Sequence, residues 1–352
     1  MALKFRSHIA SNRGRVRSSN QDSGFAGEHL FLVADGMGGH AGGDIASAIV
    51  TQQVAKVDLA YDSLESGRSA LIDSLTEAND RLLMTVGDHP ELAGMGTTFS
   101  GILVHENQLL MAHIGDSRIY RKRGKSMKQI TKDHTFVQKL LDLGRITEEE
   151  AAHHPRRSVL MRVLGDVSEK PELDVEVFDA KAGDRWLICS DGLSGVVPEI
   201  IIRNILLSDE TSEEATDLLV REALEYGAPD NVTVVILDVV PENTSDAILV
   251  KPRFVGSASN EVVLEDRKGS RILRIFNPML LTEFLGRSQV DEAFAPESDE
   301  YLEFILSQTV SKVRNHRIRQ VVTVILIALA FGVGLSSAYS YTQTRYYVGA
   351  QN

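Results

Sequence analysis

Two apolar runs end alike: "LFLVADGMGG" (residues 30–39) and "WLICSDGLSG" (residues 186–195) both close on Asp-Gly. Asp-Gly is a strong hairpin signal, because glycine takes positive φ cheaply and aspartate tolerates it. A two-residue hairpin needs a second strand at once, however. Asp35-Gly36 is followed by "MGGHAGGD" and then "IASAIVTQQVAKV", whose apolar residues recur at helical spacing; Asp191-Gly192 is followed by "LSGVVPEIIIRNILL", again more helix than strand. These acids therefore belong at strand exits. Three further aspartates mark strand ends: Asp116 closes "LLMAHIGD", Asp230 immediately precedes "NVTVVIL", and Asp22 in "NQDSGF" leads into "FAGEHLFLV".

Five carboxylates that converged could share a site only with cations, because like charges a few ångströms apart repel too strongly. Their hard oxygens match Mg²⁺ or Mn²⁺, and neighbouring glycine carbonyls can add further oxygen ligands. No His-rich cluster accompanies them, which argues against zinc. Two such ions about 3.5–4 Å apart activate a water and clamp the oxyanion of an in-line phosphoryl displacement. A single such aspartate is usually a turn former or a cap, and spacing does not prove that the five meet.

The elements that would carry them are legible. "GILVHENQLLMAHIGDSRIYRKR" (101–123) reads as a hairpin about "HEN", and "NVTVVILDVV" (231–240) as a late β-branched strand. Helices are expected over 45–57, 67–86, 134–143, 148–153, 198–207 and 212–226. Asp133 is a candidate cap for "HTFVQKLLDLG", which Gly144 would end, and Thr147 with Glu150 makes a capping box.

Composition narrows the function. A formal charge of −12 argues against a general nucleic-acid binder. The single cysteine, Cys189, excludes an intrachain disulfide and any multi-cysteine metal site, and inside "WLICS" it reads as a buried thiol. "MALKFRSHIASNRGRVR" has no apolar secretory core. By contrast, "VVTVILIALAFGVGLSSAYSY" (321–341) lacks any formal charge and at about 1.5 Å per residue reaches roughly 30 Å, the depth of a bilayer's hydrocarbon. Lys312, Arg314, Arg317 and Arg319 precede it and only Arg345 follows, which places the N-terminal part in the cytoplasm. The expected organisation is a catalytic domain over 1–240, a cytoplasmic linker with little fixed structure over 241–319, a single transmembrane helix over 320–341, and an extracytoplasmic tail over 342–352.

Eight motifs occur in order: "GRVRSSNQDS" (14–23), "VADGMGGHAGG" (33–43), "GMGTTFSGILV" (94–104), "HIGDSRIYR" (113–121), "ITKDHT" (130–135), "HPRRSVLMRVLG" (154–165), "LICSDGLSGVV" (187–197) and "GAPDNVTVVIL" (227–237). Together they resemble the metal-dependent Ser/Thr protein phosphatases of the PPM, or protein phosphatase 2C, type in its bacterial form. The resemblance spans residues 7–240. It implies an α+β fold: a four-layer αββα sandwich of two antiparallel sheets flanked by helices, with metals in a cleft at one sheet edge. It further implies that Asp35 bridges two Mn²⁺ or Mg²⁺ ions, the Gly36 carbonyl binds the first, and Asp191 and Asp230 complete the second. Asp116 with Asp191 would hold a weaker third ion, Asp22 would support the first through water, and Arg17 would grip substrate phosphate. By the same resemblance residues 133–165 would form a flap beside the cleft that selects substrate.

The implied reaction is hydrolysis of protein phosphoserine or phosphothreonine by a metal-bridging hydroxide, with Arg17 and the ions balancing the equatorial oxygens. His40 is a candidate proton donor or substrate contact; His113, His153 and His154 read as structural or surface residues. Cys189 has no arginine six residues on, which disfavours a cysteine-dependent phosphatase. Expected partners are phosphorylated Ser/Thr proteins, membrane Ser/Thr kinases and the membrane itself. Two competing readings remain. "GMGGHA" with Asp58 about twenty residues on fits a dinucleotide fingerprint, but Asp35 would point at the pyrophosphate and no second strand presents Asp58. A catalytically weak, membrane-tethered phosphoprotein-binding module would use the same arginine without needing five acids.

Overall fold

The computed structural model describes residues 3–38, 42–166, 170–243 and 252–260. The chain opens with β1 (Leu3–Asn12), β2 (Asp22–Ala26) and β3 (Leu30–Met37), followed by helices α1 (Gly43–Val54) and α2 (Leu64–Asp88). Strands β4 (Gly96–Thr97), β5 (Phe99–His105), β6 (Gln108–Ile114), β7 (Arg118–Arg123) and β8 (Ser126–Gln129) come next, then the short helices α3 (Phe136–Asp142) and α4 (Glu148–Ala152). Strands β9 (Asp174–Asp179) and β10 (Arg185–Cys189) precede α5 (Asp191–Ser194), α6 (Glu199–Leu207) and α7 (Ser212–Glu225); β11 (Val232–Pro241) and β12 (Arg253–Gly256) close the described fold.

Two antiparallel sheets result. One runs β1-β11-β10-β7-β8; the other runs β12-β2-β3-β5-β6-β9, with β4 paired to β3. Strand residues alternate between faces, and both faces of the central strands are covered, which explains their unbroken apolar runs. Leu30 and Leu32 of β3 join a cluster with Val50 of α1 and Leu71 and Leu75 of α2. Their neighbours Phe31 and Val33 face the other way, packing with Ile119, Trp186 and Val235 of the second sheet. On β10, Leu187 and Cys189 pack instead with Leu193, Ile202 and Leu219 of α5, α6 and α7. Each fully buried large side chain contributes about 1.5–3 kcal/mol by leaving water, so these clusters fix the strand register against a one-residue slip.

All six expected helices form, with boundaries moved by a few residues. The Thr147 capping box is present, Thr147 and Glu150 each serving the other's backbone N–H. Asp133 is not the cap of α3. Thr135 takes that role, its side chain accepting from Gln138 N, while Asp133 is held by the Arg118 guanidinium at 2.7 Å. An always-charged fork outcompetes a backbone amide for a carboxylate two residues away from the cap position.

Strand pairings among the described residues are antiparallel throughout, which removes the dinucleotide reading, since that unit needs parallel β-α-β strands. Asp58 instead closes the β2–β3 turn, its carboxylate accepting from the backbone of Glu28, His29 and Leu30 at 2.7–3.0 Å. Residues 253–260, expected within the loose linker, are ordered strand and turn against β2. The expected membrane span (320–341), the rest of the linker beyond residue 260 and the tail lie outside the described residues; among those described, no helix is long and apolar enough to cross a membrane.

Candidate active site

One cavity of about 430 Å³ is lined by Arg17, Asp35, Gly36, Asp116, Asp191 and Asp230. Five stretches of chain deliver them. Asp35 lies on β3, which continues two residues further than expected because Gly36 and Met37 pair with β4. Asp116 follows β6, Asp191 opens α5 directly after β10, Asp230 precedes β11, and Arg17 sits in the loop between β1 and β2. Asp22 stands opposite Asp35 in the β2–β3 register, fully buried behind the cavity. His40 lies outside the described residues.

Asp22 is only half satisfied. Its Oδ2 accepts from Ser190 Oγ at 2.8 Å, whereas its buried Oδ1 has no partner. Burial pushes its carboxyl up to about 7, offset in part by the neighbouring Thr233 and Ser190 hydroxyls and reinforced by the charges of Asp191 and Asp230. Asp116 is pushed up to about 8 by burial first, then by Asp191 and Asp133. Asp35 is held well above the ordinary carboxylate range by burial and by Asp22, Asp191, Asp116 and Asp230. Asp191 is raised by burial and Asp230, against a hydrogen bond with Asp35. The five acids thus lie within one another's fields, and that repulsion is what a bound cation relieves.

The donor set fits a hard divalent cation: all oxygens, one of them a buried carboxylate atom without a partner. Gly36 fits as well. A Cβ there would run into the backbone oxygens of Gly43 and Gln21, so only glycine lets this stretch of chain close on the site. Among the described residues no three acidic, histidine or cysteine side chains already close a metal cage. The carboxylates line an open cleft instead, where backbone carbonyl and water would complete an oxygen shell.

Comparison with known proteins decides the family. The protein phosphatase 2C family model matches residues 6–232. The chain belongs to the protein phosphatase 2C family. The serine/threonine protein phosphatase PstP of Mycobacterium tuberculosis is 37% identical over 349 residues, which is 99% of this chain and 63% of that relative; the chain therefore spans less than two thirds of PstP. The serine/threonine phosphatase stp of Listeria innocua is 36% identical over 236 residues, 65% of this chain and 93% of the relative. The crystal structure of the PstP catalytic domain in complex with two manganese ions superposes with a TM-score of 0.62 at 43% identity, covering 68% of this chain and all of that one. Stp1 from Staphylococcus aureus superposes with a TM-score of 0.63 at 31% identity over 68% of this chain and 97% of its own.

Within this phosphatase 2C frame several supporting residues carried no expectation. Thr98 Oγ1 accepts from Asp35 N at 2.9 Å and meets Ser117 Oγ at 2.8 Å, so it ties the Asp35 strand to the Asp116 turn. Thr97 Oγ1 donates to Asp35 O at 2.8 Å. Asn231, buried beside Asp230, accepts from Gln21 N through Oδ1 and donates through Nδ2 to Arg13 O and Ser19 O at 2.7–2.9 Å. One side chain thereby moors the whole Arg17 loop. Asn231 had the one sequence signal, a polar residue beside a candidate acid in "APDNV"; Thr97 and Thr98 in "GMGTTF" adjoin no candidate acid.

The remaining candidates are structural or inert. His113 is buried against Ser100 Oγ and Lys132 O, and burial together with His134 lowers it to about 3, so it stays neutral. Burial pushes the Cys189 thiol up to about 12, which leaves no thiolate for nucleophilic attack.

Proposed function

We propose that the protein hydrolyses phosphoserine and phosphothreonine esters of proteins with the help of divalent cations, Mn²⁺ or Mg²⁺. The observation that carries this reading is the shared cavity: four acids, one glycine carbonyl position and one arginine on a single wall system of about 430 Å³. Asp35, Asp191, Asp230 and the Gly36 carbonyl are the proposed holders of two ions, Asp22 the buried support of the first, and Asp116 with Asp191 the holders of a third. When bound, such ions supply Lewis-acid charge at the phosphoryl group and lower the pKa of water.

The chain's own residues do the rest. Arg17 is half exposed at the cavity rim and presents a planar, permanently charged fork matched to phosphate oxygens. In the structure its Nη2 donates to Asp230 Oδ2 at 2.7 Å, which holds the guanidinium over the cleft before substrate arrives. Thr98 and Ser117 fix the backbone that carries Asp35 and Asp116, Ser190 holds the buried Asp22 carboxylate, and orientation fixed in advance is what a charged displacement needs. A second cavity of about 700 Å³ leads away from Arg17 and Asp191 between α3, α4 and α6, with Val137, Leu141 and Glu199 on its walls. It is the proposed seat of the polypeptide flanking the phosphoresidue, in keeping with a substrate-selecting flap over 133–165.

The test is hydrolysis of a phosphothreonine peptide by the full chain with and without Mn²⁺. Mn²⁺-dependent turnover is expected; bound Mn²⁺ and bound phosphopeptide without turnover would leave the binding-module alternative. The proposed setting is a membrane: residues 320–341 as a single span, the phosphatase domain in the cytoplasm, and membrane Ser/Thr kinases as opponents. Support is the charge-free apolar run with four cationic residues just before it. A reporter fused after Asn352 should be active outside the cytoplasm, and cytoplasmic activity would overturn that topology.

A further inference from the structure

The family model ends at residue 232, yet residues 252–260 lie directly behind the site. Strand β12 pairs antiparallel with β2, Arg253 facing Ala26 and Gly256 facing Ser23. Without it β2 would be the free edge of its sheet. Val255 is buried in the cluster between the sheets, and Phe254 meets the Phe25 ring at 4.7 Å. After the strand the chain turns at Gly256, whose φ of +68° and close approach to Asp22 O both require glycine. Gln52 Nε2 then donates to Ala258 O and Asn260 O at 3.2 and 2.8 Å, anchoring the segment to α1.

The contacts beyond Gly256 converge on both sides of Asp22. Ser257 Oγ donates to Asn20 O at 2.5 Å. Ala258 N donates to Ser23 Oγ at 3.0 Å, and Ser23 Oγ meets Ser47 Oγ at 2.9 Å. Ser47 Oγ in turn donates to Gln21 O at 2.6 Å, the same carbonyl that accepts from Gly36 N at 3.1 Å. The proton order is therefore fixed: Ala258 to Ser23, Ser23 to Ser47, Ser47 to Gln21. Asn20, Ser23 and, through two hydroxyls, Gln21 are thus held by nine residues, 252–260, outside the matched domain, and Asp22 lies between those held positions with Gly256 packed against its carbonyl oxygen.

We propose that residues 252–260 form a positioning strap for the 20–23 segment, setting where the half-satisfied Asp22 carboxylate stands and so how tightly the cleft holds a divalent cation. The inference rests on the metal-dependent reading above. The strap touches no substrate; it acts through Asp22 and the Gln21 carbonyl. Changes to outer partners of metal sites typically weaken binding or activity about 10- to 100-fold, and the strap lies one step further out, so about tenfold is expected.

The experiment uses the full chain and reads Mn²⁺ binding directly by electron paramagnetic resonance of free Mn²⁺, alongside turnover. Deleting residues 252–260 should weaken Mn²⁺ binding about tenfold and expose the 22–26 amides to hydrogen exchange. Ser257→Ala should weaken it about two- to threefold, and Ser257→Thr, which keeps the hydroxyl, should restore it. Ser257→Ala decides the matter if the deletion variant does not fold. Mn²⁺ affinity unchanged in the folded deletion variant, or in Ser257→Ala, overturns the strap; so does a loss in Ser257→Ala that Ser257→Thr fails to restore. A wild-type chain that binds no Mn²⁺ overturns the metal-dependent reading instead.

Discussion

Arg17 and Asp230 are bonded to one another across 213 positions of sequence, Nη2 to Oδ2 at 2.7 Å, and Asn231 moors the loop that makes this pairing reachable. Asp230 Oδ1 simultaneously accepts from Asn231 N at 2.8 Å. The phosphate-gripping candidate and a metal-holding candidate are therefore set by one corner of the chain. Because the pair is exposed, its direct contribution to stability is small, and its value lies in placement.

Placement predicts non-additivity. Arg17→Ala should raise KM for a phosphopeptide and lower kcat/KM by about 100-fold, the scale of losing a charged transition-state contact. Asn231→Ala should give a smaller loss in the same direction. In the double variant the Asn231 effect should vanish, since there is no arginine left to place. Independent, multiplying losses in steady-state kinetics would show that Asn231 acts elsewhere.

Among the acids, Asp35→Asn and Asp191→Asn should each reduce turnover by more than about 100-fold while the protein still folds. The neutral amide removes repulsion within the cluster, so both variants should melt no lower than the metal-free parent. Full activity in either, measured with Mn²⁺ in excess, would remove that acid from the metal-holding set.

Much of this arrangement was legible before any coordinates, and the parts that were not share a physical cause. Asp35, Asp116 and Asp191 could be picked out because each closes an apolar run, and Asp230 because it opens one; a charge at the end of a buried strand needs a reason. The six helices followed from 3.6-residue periodicity. Asp133 misled because its position before "HTFVQ" satisfies the rule for a cap, while the competitor, Arg118, comes from fifteen residues earlier and only the fold brings it near. Strand β12 was invisible because four residues carry too little periodicity to stand out from a linker. Asn231 and Thr98 were unreadable for a similar reason: their partners lie on other strands and loops.

The pH response of the metal-free protein follows from the raised carboxyls. A group whose folded pKa is raised stabilises the fold while protonated, fully so below its unfolded value of 3.8, and that stability is lost as pH rises through its folded value. For Asp22 and Asp116 the window runs from 3.8 up to about 7 and about 8. Metal-free protein should therefore melt several degrees lower at pH 8 than at pH 5, at about 2–4 °C per kcal/mol for a domain of this size, and Mn²⁺ at pH 8 should reverse the loss. In metal-free Asp22→Asn the slope should flatten. A wild-type melting temperature that rises across this range would contradict the assignment of buried, mutually repelling acids.

His134 offers a test of how the 133–165 segment communicates with Asp116. Its Nδ1 accepts from Gly115 N at 3.1 Å, so the ring proton sits on Nε2 and is donated to Asp174 Oδ2 at 3.0 Å. Arg162 completes the cluster, donating from Nη2 to Asp174 Oδ1 at 2.9 Å, and Met161 N donates to His134 O at 2.8 Å. The 133–165 segment and the turn before Asp116 thus meet on His134. Replacing it with alanine strands the buried Gly115 N–H, at about 1–3 kcal/mol, and frees the turn that carries Asp116. His134→Ala should lower the melting temperature and weaken Mn²⁺ binding, whereas Asp174→Asn, which can still accept from Nε2, should do much less of both. Equal effects from the two substitutions, read by calorimetry and Mn²⁺ titration, would place the linkage in Asp174's charge and not in the imidazole's bond to Gly115.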